Sequence, residues 1–186
     1  MKANNFNDCL LFGNQGEKAF NNRCITIFKP IVEEIFYEKN PEKQKAGYDT
    51  ILKRDHEVKI EIKTRGYTYW HFKDILIETI SIIEYNKPGW VYYSEADFIV
   101  YLWYDSKNDE ILDAYIINFK PFQKWVNAGG LLNFKKMQSQ SNGGQWHTEG
   151  VMIPISEFPQ DFLIKVNRGK LGSFKNIQKA LMDYDK

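Results

Sequence analysis

At 186 residues the chain has one domain's length, with room for a single real core and none for two independent domains. A hydrophobic share of 43%, with 16% aromatic residues, excludes disorder through lack of buryable surface. Basic and acidic side chains number 25 against 24, so the net charge announces neither nucleic acid nor membrane. The two cysteines, Cys9 and Cys24, are too few for a disulfide framework and point to a reducing compartment, the cytoplasm. No apolar signal segment follows Lys2, and the longest purely apolar run, Phe98 to Tyr104, is far short of a membrane span.

Phe20, Cys24, Ile27 and Phe28 recur at i, i+4, i+7 and i+8, which predicts a helix from about Gln15 to the Lys29-Pro30 break. Ile31 to Glu38 reads as a second helical stretch, stopped by Asn40-Pro41. Tyr48–Leu52 and Val58–Thr64 predict a β-hairpin whose loop is the charged Lys53–Glu57 segment. In its second strand Val58, Ile60 and Ile62 alternate with Lys59, Glu61 and Lys63, which puts the apolar set on one face and the charged set on the other. Ile75–Ile83 is β-rich, and Phe98–Tyr104, apolar throughout, predicts a central strand covered on both faces. A turn from Asp105 to Glu110 leads to a strand around Ile111–Asn118, then a short helix over Pro121–Ala128 with Gly129 past its end. Residues 129–150 read as a loop, Val151–Ile155 as a short strand, and 156–186 as a basic tail.

The charged face of the hairpin is where chemistry can reside. Asp49 begins the first strand, and Glu61 and Lys63, two apart on the second, share one face. Two carboxylates from adjacent strands supply hard oxygen ligands for Mg²⁺, and a lysine beside them can position a water or stabilise developing negative charge. The spacing alone is weak: acid-x-Lys also occurs at Glu57-Val58-Lys59 and Asp105-Ser106-Lys107, about what chance places in this composition. The competing reading is a solvated strand face with alternating charge. Glu17, three residues before Phe20, falls on the core-facing side of its helix, where a carboxylate needs a metal, a cation or a donor; its plainer role is interaction with the helix dipole.

Other features carry less. His56, His71 and His147 are scattered and make no metal or triad spacing. Tyr67, Tyr69, Trp70 and Phe72 follow the hairpin directly and suit base stacking or core packing equally. Lys53, Arg54 and Arg65 around the hairpin, with Lys165, Arg168, Lys170, Lys175 and Lys179 in an acid-free stretch near the end, are the candidate phosphate contacts.

The succession Gly16-Glu17, Gly47-Tyr48-Asp49 and Glu61-Ile62-Lys63 resembles the PD-(D/E)XK nuclease superfamily. Downstream, Ile77-Glu78-Thr79, Lys87-Pro88-Gly89-Trp90 and Ala96-Asp97-Phe98-Ile99-Val100-Tyr101 are similar to its phage-type and Holliday-junction-resolvase-like members, so that the resemblance spans about residues 13–104. It implies a restriction-endonuclease-like α/β fold, a central mixed β-sheet flanked by helices, forming a single nuclease domain with its core at about 13–155. It implies that Asp49 and Glu61 hold Mg²⁺, with Mn²⁺ accepted, that Lys63 is the catalytic lysine, and that Glu17 assists the metal; Glu78 is a further candidate ligand. Gly47-Tyr48 stands where many members have proline. The implied activity is metal-dependent DNA endonuclease, structure-specific or junction-resolving, acting as a homodimer in a bacterial or phage-infected cytoplasm. The alternative is a non-catalytic nucleic-acid-binding or interaction protein on the same fold.

Overall fold

Phe98–Asp105 (β6) is buried at every residue, and its position explains why. It lies inside a six-stranded sheet of order β1-β2-β3-β6-β7-β10, built with Glu34–Tyr37 (β1), Thr50–Lys53 (β2), Glu57–Gly66 (β3), Glu110–Asn118 (β7) and Leu163–Val166 (β10). Every neighbouring pair is antiparallel except β3 and β6, which run parallel in the register Glu61↔Ile99 and Lys63↔Tyr101. The computed structural model describes residues 6–28, 33–40, 44–53, 56–141 and 146–166, the backbone alone at 6–8, 23–28 and 141.

A parallel pair needs a long crossover. Here it passes through Asp74–Ile82 (β4), Lys87–Pro88 (β5) and the short helix Trp90–Tyr93 (α2). β4 joins a second, four-stranded sheet of order β5-β4-β9-β8, completed by Lys136–Ser141 (β8) and Trp146–Pro154 (β9). The protein is thus α/β with a mixed sheet flanked by helices, and it carries in addition a second sheet that the expectation did not include. The long helix Phe6–Phe28 (α1) covers one face, where Ala19 and Phe20 pack on Val58, Ile60, Ile62, Val100 and Leu102. The second sheet, with α2 and the helix Phe119–Asn127 (α3), covers the other through Ile75, Ile77, Val151 and Ile153. Period-two alternation in β4 buries Ile75 and Ile77 and suits a sheet, not a helix.

Other boundaries shift. α1 begins at Phe6, well before Gln15. Part of 31–38, expected helical, is strand β1, because Glu34–Tyr37 pairs with Thr50–Lys53 residue for residue. The expected loop 129–150 contains β8 and the first half of β9, which pair from Lys136↔Val151 to Ser141↔Trp146. The tail from 156 includes β10, docked on β7; residues 167–186 lie outside the described residues. No helix among the described residues is long and apolar enough to cross a membrane.

Candidate active site

β3 has ten residues, but β2 pairs with it only from Glu57 to Ile60. From Glu61 onward the edge of β3 on that side is free of β2, and the site forms there. Gly47 makes the approach with φ of 76°, a left-handed turn that glycine adopts without strain, and its carbonyl accepts from the Ser94 hydroxyl at 2.6 Å. Asp49 follows. Its N–H donates to the Ile60 carbonyl at 2.8 Å, its carbonyl accepts from the Glu38 N–H at 2.9 Å, and its Oδ2 accepts from the Ile62 N–H at 2.7 Å. The carboxylate thereby caps the first β3 amide beyond the pairing.

Glu61 and Lys63 project from β3 on the face shared with Ile99 and Tyr101, towards the second sheet. This face is not solvated. Glu61 is 4% exposed, and its Oε1 is ion-paired with Lys63 Nζ. Its Oε2 is enclosed with no hydrogen-bond partner, an arrangement that is costly for an anionic oxygen. Lys63 Nζ also stands 5.5 Å from the ring centroid of buried Trp90, a cation–π distance. Burial works against the ammonium, yet Glu61, Asp49 and Tyr93 outweigh it and raise the Lys63 pKa. The ion pair with Glu61 thus favours the charged ammonium of Lys63.

Glu17 comes from the other side of the sheet. Gly16 is buried against Thr64, where a side chain on the helix would overlap the threonine, so α1 approaches β3 closely at this point. Glu17, one residue on, is half-buried beside the edge of β3. Burial, then the Asp49 carboxylate, push its pKa up to about 7; Glu61 adds to the rise and Lys63 opposes it. Asp49 is raised to about 6, mainly by burial, with Glu61 contributing, while the Ile62 N–H and Lys63 hold it down. Glu17, Asp49, Glu61 and Lys63 thus occupy one electrostatic environment.

Glu78 meets that group through Tyr93, whose hydroxyl feels Lys63, Glu61 and Glu78 alike. On β4 its Oε1 accepts from the Ser81 hydroxyl, and its charge acts on Tyr93. Tyr93 and Trp90, both on α2, are the residues that sequence reasoning missed as parts of the site. Tyr93 feels Lys63, Glu61 and Glu78, and burial raises its pKa. Their only signal was Gly89-Trp90 after the Lys-Pro pair. Gly89 leaves no room for a side chain against the Glu78 backbone and donates its N–H to the Thr79 carbonyl at 2.9 Å, which ties the start of α2 to β4.

Of the cations expected to contact phosphate, the described ones stand in different parts of the fold. Lys53 faces Glu34 at 3.8 Å on β2, near one edge of the six-stranded sheet, and Lys165 stands 5.8 Å from the Tyr115 ring on β10, at the other edge. Arg65 is turned inward, ion-paired with Asp74 and donating to the Asp74 carbonyl at 3.0 Å. Arg54, Arg168, Lys170, Lys175 and Lys179 lie outside the described residues.

Among the described residues no group of three or more His, Cys, Asp or Glu side chains is disposed to hold a metal ion. The donor set of Asp49, Glu61 and Glu17 is nevertheless all hard carboxylate oxygen, the chemistry that suits Mg²⁺. The unpartnered Glu61 Oε2 and the raised Glu17 and Asp49 mark a place short of positive charge. To that extent the residues fit a divalent cation. No protein-family model matches the chain, and no curated protein sequence matches it.

Proposed function

We propose that the chain is a metal-dependent DNA endonuclease with a restriction-endonuclease-like core, hydrolysing phosphodiester bonds at the Glu17, Asp49, Glu61 and Lys63 site. The observation that carries the reading is Glu61: buried, held by Lys63 through one oxygen, with the other oxygen enclosed and unpartnered. A strand meander followed by a strand parallel to its last member, with the acids at the free edge of that member, supports it further.

Asp49 and Glu61, with Glu17 beside them, would hold Mg²⁺ or Mn²⁺. The ion would supply Lewis acidity towards the phosphate and a water of lowered pKa. The chain's own residues do the rest. The Ile62 N–H fixes the Asp49 carboxylate, so the acid needs no reorganisation on binding substrate. Lys63, held between Glu61 and Trp90, sets a cation against the negative charge that develops on the phosphate. Glu17, whose pKa burial and Asp49 push up to about 7 where no cation is present, would complete the carboxylate set around the ion. Two copies would present two such sites to opposite strands, which suits junction resolution or double-strand cleavage.

The test is incubation with supercoiled plasmid, linear duplex, single strands and a four-way junction, each with Mg²⁺, Mn²⁺ or EDTA. Cleavage that needs the metal is expected. Binding without cleavage under every condition assigns the chain to the non-catalytic alternative.

A further inference from the structure

The chain leaves β3 at Gly66 and forms a two-turn 3-10 segment, Tyr67–Phe72, in which no residue is buried. Such a segment eclipses side chains at i and i+3, so Tyr69 and Phe72 share a side, with ring centroids 6.4 Å apart. Tyr67, Tyr69 and Phe72 are 42%, 41% and 55% exposed, and the His71 ring lies 4.0 Å from that of Phe72. Concentrated ring exposure of this kind marks a binding surface more than a packing one.

The rings are backed by fixed cations. The Arg65 guanidinium sits 5.0 Å from the Tyr69 centroid and is anchored by Asp74; Lys73 Nζ sits 3.6 Å from the Trp70 centroid and 3.8 Å from Asp113. Both charges are largely matched where they stand, which leaves little for phosphates and leaves the ring faces as the available chemistry. From Ile62 to Lys73 the chain carries no acid. Tyr67 stands four positions beyond Lys63, about 13 Å along a strand at an ordinary rise.

We propose that the Tyr67–Phe72 turn is a stacking platform for unpaired bases, so that the substrate held beside the site is single-stranded DNA or a single-stranded flap. The inference rests on the nuclease reading for its choice of DNA. Ring faces complement base faces, which only unpaired nucleotides offer, whereas duplex DNA presents phosphates and groove edges to cations. Stacking carries no charge, so it adds affinity without adding to the salt dependence.

The experiment measures fluorescence anisotropy of a labelled oligothymidine strand, and of a duplex of equal length, with the full chain in EDTA, so that binding is read without cleavage. Tyr69→Ala and Phe72→Ala each should weaken oligothymidine binding by roughly five- to a hundred-fold, leave duplex binding and the salt slope unchanged, and give wild-type circular dichroism. Tyr69→Phe, which keeps the ring, should bind as wild type. Unchanged oligothymidine affinity in the alanine variants overturns the platform, even if the protein cuts plasmid. So does a variant whose only change is loss of a dimer in sedimentation, since the rings would then face a second copy. Ring-dependent binding by a chain that cleaves nothing would uphold the platform and dismiss the nuclease reading.

Discussion

Ile60 and Ile62 on one face of β3 are 2% and 4% exposed, and Glu61, between them on the other face, is 4% exposed. Burial does not distinguish the two faces; the charge of what is buried does. Under α1 the isoleucines meet Phe20, Val100 and Leu102, and every atom removed from water contributes to stability. Towards the second sheet a carboxylate has one oxygen on an ammonium and the other on nothing. Stability alone does not call for an enclosed carboxylate oxygen without a partner, and this is the observation on which the proposed site rests.

The comparison breaks most visibly in activity. Glu61→Gln keeps the shape and removes the charge, so cleavage should fall on the order of a thousand-fold or more while the unfolding midpoint moves little. Asp49→Asn should behave alike. Ile60→Ala should do the reverse, losing about 2–5 kcal/mol of stability to a cavity beneath α1 and keeping wild-type activity per folded molecule. Urea melts beside plasmid-cleavage rates read both; Glu61→Gln cutting at the wild-type rate would remove Glu61 from the mechanism.

How much of this difference was legible in the sequence follows from how each residue gets its environment. The alternation of Val58, Ile60 and Ile62 with charged residues fixed the strand and its faces, because period two is a local property. Glu57 at the loop end of β3 is exposed while Glu61 is enclosed, and the position of Glu57 beside the loop is legible locally, whereas the point at which β2 stops pairing is not. The apolar spacing of Glu34–Tyr37 fits either period, so it predicts helix as readily as strand, and pairing with β2 decides for strand. Lys136–Ser141 is polar and exposed, so no burial pattern announced an edge strand that exists through its ladder to β9. Trp90 and Tyr93 reach Lys63 through a crossover some thirty residues long, and the chain order gives no sign of that meeting.

A smaller effect separates the faces by pH. In the folded chain Glu17 titrates near 7 and Asp49 near 6, against ordinary values of 4.5 and 3.8. The folded state therefore holds protons that the unfolded chain has already released. Stability from these groups is fully present below about pH 4 and declines as pH rises through about 6 and then 7, by on the order of 2–3 kcal/mol for either acting alone. Melting temperatures in EDTA should fall between pH 5 and pH 8. Glu17→Gln should flatten the upper part of that fall, and in the wild type Mg²⁺ should restore part of it at pH 8. An identical pH profile in Glu17→Gln would place Glu17 outside the cluster.

The smallest predicted change tests how the two faces are joined, at the contact where α1 crosses β3. A methyl at Gly16 would overlap the Thr64 side chain, whose hydroxyl is itself buried without a partner. Gly16→Ala gains about 1 kcal/mol of helix propensity against about 1–3 kcal/mol of overpacking, so the net loss should be small. Thr64→Ala removes the two nearest atoms, Oγ1 and Cγ2, leaves the Cβ at 2.9 Å, and should be nearly neutral alone, because it also deletes an unsatisfied hydroxyl. Together the two substitutions should recover part of the stability that Gly16→Ala loses, a coupling a double-mutant cycle resolves. Activity should respond more than stability. Glu17 is the next residue along α1, and a helix lifted from Thr64 carries that carboxylate away from Asp49, so Gly16→Ala should slow cleavage several-fold and the double variant should regain part of it. Full additivity of the two substitutions, in melting and in rate, would mean that Gly16 does not set the distance of α1 from the free edge of β3.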